Sequence, residues 1–378
     1  MRNLIRFFAL SAACLGPVAL GGCSATMRSG GGGIPATSAA SGSERALSAG
    51  VATLLDPVRG LGRTNSPNPG AATRHASWMA AGVDAKAAPL LYVANWYGNG
   101  VEVYSAKTRA HVGHIDTSPY QPNSVHVAGG DIWVALNNAG NDPSIYVYKP
   151  GATSPFRTLT GVSNVPVSIA LARNGTVYVT DENFSSGEVI VFGPGSNTPT
   201  ATLTDPGATC CGWVAVDRTG NVFFTYESAS GHTGAVDEFV RGSKTPKSLG
   251  ITLGTFPGGI EVLKNGALLI VEQGIPSFNL AAKIDTFPKG ASQPSSVIAG
   301  DPTCDNWVGP ALSKDEHTVY VGSTLEANNI CNVNGAFGTL EEYSYPSGTL
   351  LNKFNGGLTN QPGWTLLVPA IAPAPAGQ

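Results

Sequence analysis

Four acids follow strand-like runs at nearly regular intervals. Asp181 and Glu182 come after Val177-Tyr178-Val179-Thr180, Glu227 after Val222 to Tyr226, and Glu272 after Leu268 to Val271. Gathered at one mouth, such carboxylates would make a hard oxygen site for a divalent cation such as Ca2+. Left apart, they are solvated rim charges. His126 and Glu261 stand where equivalent runs carry alanine, and a buried carboxylate there needs a partner or a raised pKa. An isolated histidine on such a run is more often a hydrogen-bonded core residue than a base. Trp96, Trp213, Trp307 and Trp364 fall near the same run ends. Their rings could stack on a sugar or a peptide side chain, or pack between neighbouring elements.

The elements that must position these residues recur. Leu91-Tyr92-Val93-Ala94-Asn95 is echoed at 132–136, 177–181, 222–226, 268–272 and 319–323, with second residues about 41 to 51 apart. A period of that size signals a repeat architecture. Each unit has a preceding run, such as Ser124-Val125-His126-Val127 or Trp213-Val214-Ala215-Val216, joined to the echo by a Gly-containing turn such as Arg173-Asn174-Gly175-Thr176. Asn-Gly and Gly-Asn between apolar runs predict hairpins whose two turn positions both take positive φ. Third and fourth runs follow. Four antiparallel strands repeated six times predict an all-β, six-bladed β-propeller over residues 86–369. The first unit lacks its leading run, and Gln361 to Leu367 at the chain end is expected to supply it and close the ring.

In that topology Trp213 and Trp364 are expected at equivalent positions on opposite sides of the central channel, and the four cysteines of this region on one rim. Cys304 and Cys331 then read as a disulfide, worth about 3 kcal/mol in the chain-entropy account. Adjacent Cys210 and Cys211 leave two readings, a vicinal disulfide or separate thiols. No histidine stands near them at ligand spacing for zinc.

The N-terminus reads as an export signal: Arg2 and Arg6, then an apolar stretch too short to span a bilayer, ending in Leu20-Gly21-Gly22-Cys23. That ending resembles a bacterial lipobox. The resemblance implies that residues 1–22 are removed and Cys23 carries acyl chains, firm enough together to hold a membrane. Ser24 rather than Asp follows, which favours the outer membrane where the cell has one. Residues 23–85, rich in Gly, Ser and Ala, read as a linker, and 370–378 as a Pro/Ala tail.

Gly175 to Asp181 resembles the NHL-repeat and TolB-like six-bladed propellers. Gluconolactonase-type propellers of six blades hold a divalent metal through carboxylates, but their Glu and Asn pattern does not match here in register. Streptogramin-lyase-like propellers use a His-x-Glu arrangement that is absent. No Gly-x-Ser-x-Gly, His-Glu-x-x-His or phosphate-loop pattern occurs. The chain has a net charge of −3 and only 12% charged residues; no basic run appears, so nucleic acid is not an expected partner. The expectation is a membrane-tethered, non-catalytic propeller in the cell envelope that binds a protein, peptide or glycan through one face. The alternative is a metal-dependent lactonase or hydrolase, with Ca2+ the one cofactor in view.

Overall fold

The computed structural model describes residues 76–372, apart from 82, 84–88, 97, 139–141, 184–185, 229–232, 275–278, 325–337, 357 and 359–366. Among the described residues every regular element is a strand. Blade one contains β1 (Trp78–Met79), β2 (Leu90–Asn95), β3 (Gly100–Ser105) and β4 (His111–Asp116). Blade two is β5 (Gln121–Ala128), β6 (Asp131–Asn137), β7 (Ile145–Tyr148) and β8 (Arg157–Leu159). Blade three is β9 (Pro166–Leu171), β10 (Val177–Asn183), β11 (Ser186–Phe192) and β12 (Ala201–Asp205). Blade four is β13 (Ala208–Val216), β14 (Val222–Ser228), β15 (Gly234–Phe239) and β16 (Lys247–Leu253). Blade five is β17 (Pro257–Val262), β18 (Leu268–Glu272), β19 (Lys283–Phe287) and β20 (Ser296–Ala299). Blade six is β21 (Trp307–Leu312), β22 (Thr318–Thr324), β23 (Gly338–Ser344) and β24 (Leu350–Phe354), and β25 (Leu367–Ala372) returns to blade one.

The ring closes as expected, with a shifted strand. β25 pairs antiparallel with β2, Val368 opposite Ala94 and Ala370 opposite Tyr92. The predicted closing run, Gln361 to Leu367, overlaps it only at Leu367, and the predicted tail from 370 supplies half the strand. Pro369 sits within it because β25 is the innermost strand, with an edge that faces the channel and needs no ladder bond. Blade one also gains a fifth strand: β1 pairs with β4, Trp78 opposite His114 and Met79 opposite Gly113. The outer strands β4 and β24 were the least legible. His111, Gly113 and His114 interrupt β4, and Asn352 and Lys353 interrupt β24, so no continuous apolar run marks them.

The second strands are buried on both faces by the adjacent blades, which explains their unbroken apolar runs. All six residues of β2 and all five of β18 are buried. Blade contacts are also pinned by polar groups. Asn123 Nδ2 donates to Pro166 O at 2.7 Å, Val214 N to Ser168 Oγ at 3.3 Å, and Thr225 Oγ1 to Gly258 O at 3.1 Å. Between blades six and one, Arg109 grips Glu342 through Nε and Nη2 at 2.9 and 2.8 Å.

All turns from first to second strand and from third to fourth lie at one end of the ring, here termed the lower face. Blade two uses Gly129 and Gly130, both at positive φ (61° and 79°), as expected. Blades three to five depart from expectation. Asn174 and Asn265 do not take positive φ; only the following Gly175, Gly220 and Gly266 do, at 86°, 92° and 82°. Each of these glycines donates its N–H three residues back, to Ala172, Asp217 and Leu263. The form is a type I turn followed by one left-handed residue, the three-residue hairpin loop rather than the two-residue one.

Candidate functional site

The channel is built from the innermost strand of each blade. The register fixes which residues share a level. His126, Ala170, Ala215, Glu261, Ala311 and Ala370 each face the aromatic or leucine at the second position of their blade's next strand: Trp133, Tyr178, Phe223, Leu269, Tyr320 and Tyr92. His126 and Glu261 therefore stand three blades apart at one level, as the sequence implied, and both line the channel. Burial drives His126 down to about 4, so its imidazole is neutral near neutral pH. Its Nε2, with Ser124 Oγ and Trp213 Nε1, is sealed from solvent without a protein partner. The room left for water centres is about 40 Å³. At roughly 10–15 Å³ per water, that is space for a few ordered waters.

Trp213 is 3% exposed. A Cβ added at Gly309, two blades away, would lie 3.5 Å from Trp213 Cζ3. The indole thus reaches across the channel and packs as core. Its counterpart in blade one is Val368, two residues before Ala370 as Trp213 is before Ala215. The expected Trp213–Trp364 equivalence fails for that reason: the closing strand begins later than its apolar run suggested. Trp364 itself lies outside the described residues. Trp307 is fully buried, its Nε1 donating to Glu341 and its ring edge-on to Tyr343. Trp96 is half-buried at the upper end of blade one. Cys23 and Cys331 and the side chains of Cys210 and Cys211 also lie outside the described residues. Cys304 is half-buried just before β21.

The four strand-end acids are placed in three different blades. Asp181 accepts from Asn164 N at 3.0 Å and from Asn164 Nδ2 at 3.0 Å; burial raises it all the same. Glu272 Oε2 accepts from Gly254 N at 2.8 Å, Thr255 N at 3.0 Å and Thr255 Oγ1 at 3.2 Å. Each carboxylate thus ties down the loop leading into its own blade. Glu182 and Glu227 are buried beside them in blades three and four, at 2% and 0% exposure. Among the described residues no three His, Cys, Asp or Glu side chains converge as metal ligands.

Two features escaped the sequence reading. Glu102 joins two histidines in blade one, His111 Nε2 at 2.7 Å and His114 Nδ1 at 3.0 Å. Burial pushes Glu102 up, and these two partners outweigh it and hold it below the usual range. Carboxyl pairs occur at the upper ends of blades four, five and six. Asp205 faces Asp237, Asp285 faces Glu272, and Asp305 faces Glu341, with Lys353 Nζ close to the last pair. Burial first, and then the facing acid, lift Asp205 to about 6 and Asp285 and Asp305 to about 7. A signal existed: Glu102, Asp237, Asp285 and Glu341 occupy the same place in the third strand of their blades.

The fold and this arrangement define a six-bladed β-propeller. No protein-family model matches the chain, and no curated protein does. Among solved structures it is similar to a chain in the crystal structure of a nidogen/laminin complex, at 13% identity and TM-score 0.56, covering 76% of this chain and all of that one. It is also similar to a protein of unknown function from Bacteroides caccae, at 11% identity and TM-score 0.57, covering 75% and 99%. At such identities the likeness speaks for the fold alone.

Proposed function

We propose that this is a non-catalytic binding propeller that presents its upper face to a protein, peptide or glycan. The observation that carries the reading is the contrast between the two ends. First-to-second-strand turns at the lower end are uniformly short: two residues in blade two, three in blades three to five and four in blade six. Upper connections vary from the step between Asn183 and Ser186 to the spans between Glu272 and Lys283 and between Thr324 and Gly338. Such loop variation on a rigid scaffold is where binding specificity resides. Asp181 and Glu272, meanwhile, accept from the loops that lead into their own blades.

Trp96, half-buried at the upper rim, and Trp364 are the tryptophans this reading assigns to the ligand. Pairing of Cys304 with Cys331 would brace the long blade-six loop. Acylation at Cys23 would hold the protein in the cell envelope, at the outer membrane of a Gram-negative cell. Peptide and glycan arrays probed with the full chain test the reading. Trp96→Ala and Trp364→Ala together should abolish the bound spots while the protein still melts cooperatively, at a lower temperature because Trp96 packs against the core. Unchanged spots would refute the surface, and a rise in melting temperature on adding Ca2+ would instead favour the metal-dependent hydrolase. Cys23→Ser should abolish incorporation of a labelled fatty acid into the protein, and undiminished labelling would refute acylation at that residue.

A further inference from the structure

The net charge of −3 hides a separation of charge between the two ends of the ring. Arg173, Arg218, Lys264 and Lys314 occupy one position, the second residue of the first-to-second-strand turn, in four consecutive blades. The turns share one hydrogen bond: Gly175 N to Ala172 O, Gly220 N to Asp217 O, Gly266 N to Leu263 O and Glu316 N to Ser313 O, at 2.8 to 3.1 Å. All four side chains are exposed, so they form an arc around the lower mouth of the channel. A second arc comes from the third-to-fourth-strand turns, with Lys107, Lys149, Arg241 and Lys289 exposed. The arcs touch. A Cβ at Gly220 would lie 3.3 Å from Arg241 Cδ, and one at Gly266 3.1 Å from Lys289 Cδ. The outer cation therefore folds over the inner turn of its own blade.

The acids of this face are turned into the loops. Asp217 accepts from Thr219 and Asn221 N–H groups, Glu316 from Lys264 N and Asp315 from Ser313 Oγ; Asp131 instead forms an ion pair with Lys149 Nζ at 2.6 Å and offsets that one cation of the outer arc. Of the described lysines and arginines, only Lys283 and Lys353 stand at the upper end of a strand. That end instead collects Asp116, Asp142, Asp181, Asp205, Glu272 and Asp301.

We infer that the lower face is a docking platform for an anionic lipid surface. Charge complementarity sets the sign of the partner. The repeated short turns give an even cationic face, which suits a plane of headgroups; each cation held near such a surface contributes about 1 kcal/mol. Apolar side chains accompany the cations: Phe156, 52% exposed under Lys149, Val240 beside Arg241, and Leu350 at the start of β24. Single-stranded nucleic acid would need stacking aromatics, and Phe156 is the one exposed large aromatic of this face among the described residues. This contact is independent of acylation at Cys23 and of any ligand on the upper face.

The test uses the full chain carrying Cys23→Ser, so that no acyl chain contributes. It is mixed with phosphatidylglycerol–phosphatidylcholine vesicles or with phosphatidylcholine vesicles and sedimented. Binding is expected only to the anionic vesicles, and it should weaken as salt rises. The variant R173E/R218E/K264E/K314E should lose at least roughly 100-fold in partitioning, and Lys283→Glu at the opposite end should lose nothing. Should the quadruple variant melt without cooperativity, R218A/R241A and K264A/K289A replace it, each with a smaller loss expected. Equal binding to neutral vesicles would overturn the proposal. So would indifference to charge reversal, or duplex DNA or heparin bound through these residues while vesicles are not.

Discussion

The carboxyl pair of blade five predicts a pH-dependent stability that one amide should erase. Asp285 is 4% exposed and lifted from 3.8 to about 7, by burial first and then by Glu272. Glu272 already accepts three hydrogen bonds from Gly254 and Thr255, and the raised group of the pair is Asp285. Asp285 Oδ1 has no other donor. The folded-state value lies above the unfolded one, so between about pH 4 and 7 the folded chain holds the extra proton. Stability from this group is complete below pH 4 and is lost as pH climbs through 7. A shift of about three units corresponds to about 4 kcal/mol at 1.36 kcal/mol per unit. Water near the upper loops screens the pair, and about half that figure is the working expectation. Asp285→Asn keeps the shape, stays neutral at every pH and can donate to Glu272. Relative to the parent, the variant should melt several degrees higher at pH 8, at about 2 °C or somewhat less per kcal/mol, and the difference should close by pH 4.5. Parallel melting curves across that range would refute the shared-proton account. Asn melting lower at pH 8 would mean that Asp285 is ionised and paired.

His126 should act with the opposite sign: its folded value of about 4 lies below the unfolded one, so its contribution is intact above pH 6.5 and lost as pH falls to 4, and NMR should show one imidazole titrating near 4. Gly258→Ala places a Cβ 2.3 Å from Val308 O of the next blade and should cost about 1–3 kcal/mol in denaturant melts, whereas Gly254→Ala, with its nearest contact at 3.4 Å, should cost far less. Arg109→Ala leaves the buried Glu342 with only Tyr320 OH and Asn352 Nδ2; a loss of about 1–3 kcal/mol is expected, and no change in chemical denaturation would mean that this bridge does not fasten blade six to blade one.

What the sequence disclosed follows from how propellers bury their strands. Second strands such as Val177 to Thr180 are covered on both faces, so their apolar runs are unbroken and their period survives. Fourth strands lack such runs: β4, covered by β1 and interrupted by two histidines and a glycine, left none to find. The closing strand was misplaced by several residues because Trp364-Thr365-Leu366-Leu367 is as apolar as Val368 to Ile371, and only pairing with β2 distinguishes them. The upper acids show the same limit for a site. Their regular spacing was visible, but whether Glu272 would meet a cation, a loop amide or Asp285 depends on side chains about a dozen residues away in either direction. The carboxyl pairs become visible only once the blades are aligned by register and Asp237, Asp285 and Glu341 coincide.

Repetition also explains why the two ends differ in kind. A turn opened by one shared hydrogen bond presents its second residue at a matching place in every blade that uses it, blade six adding its extra residue only after that point. A residue type repeated there, as Arg173, Arg218, Lys264 and Lys314 are, becomes a uniform surface although the four are scattered over more than a hundred positions of chain. No scan for contiguous basic runs could register it. The upper connections differ in length from blade to blade, so beyond the acids repeated on the strands each loop contributes its own chemistry. A uniform face discriminates poorly among partners and suits an extended one, where many weak attractions add. A face of unlike loops can fit one shape closely. The lower end is therefore suited to holding the propeller against a charged plane, and the upper end, directed away from that plane, to recognising a particular ligand.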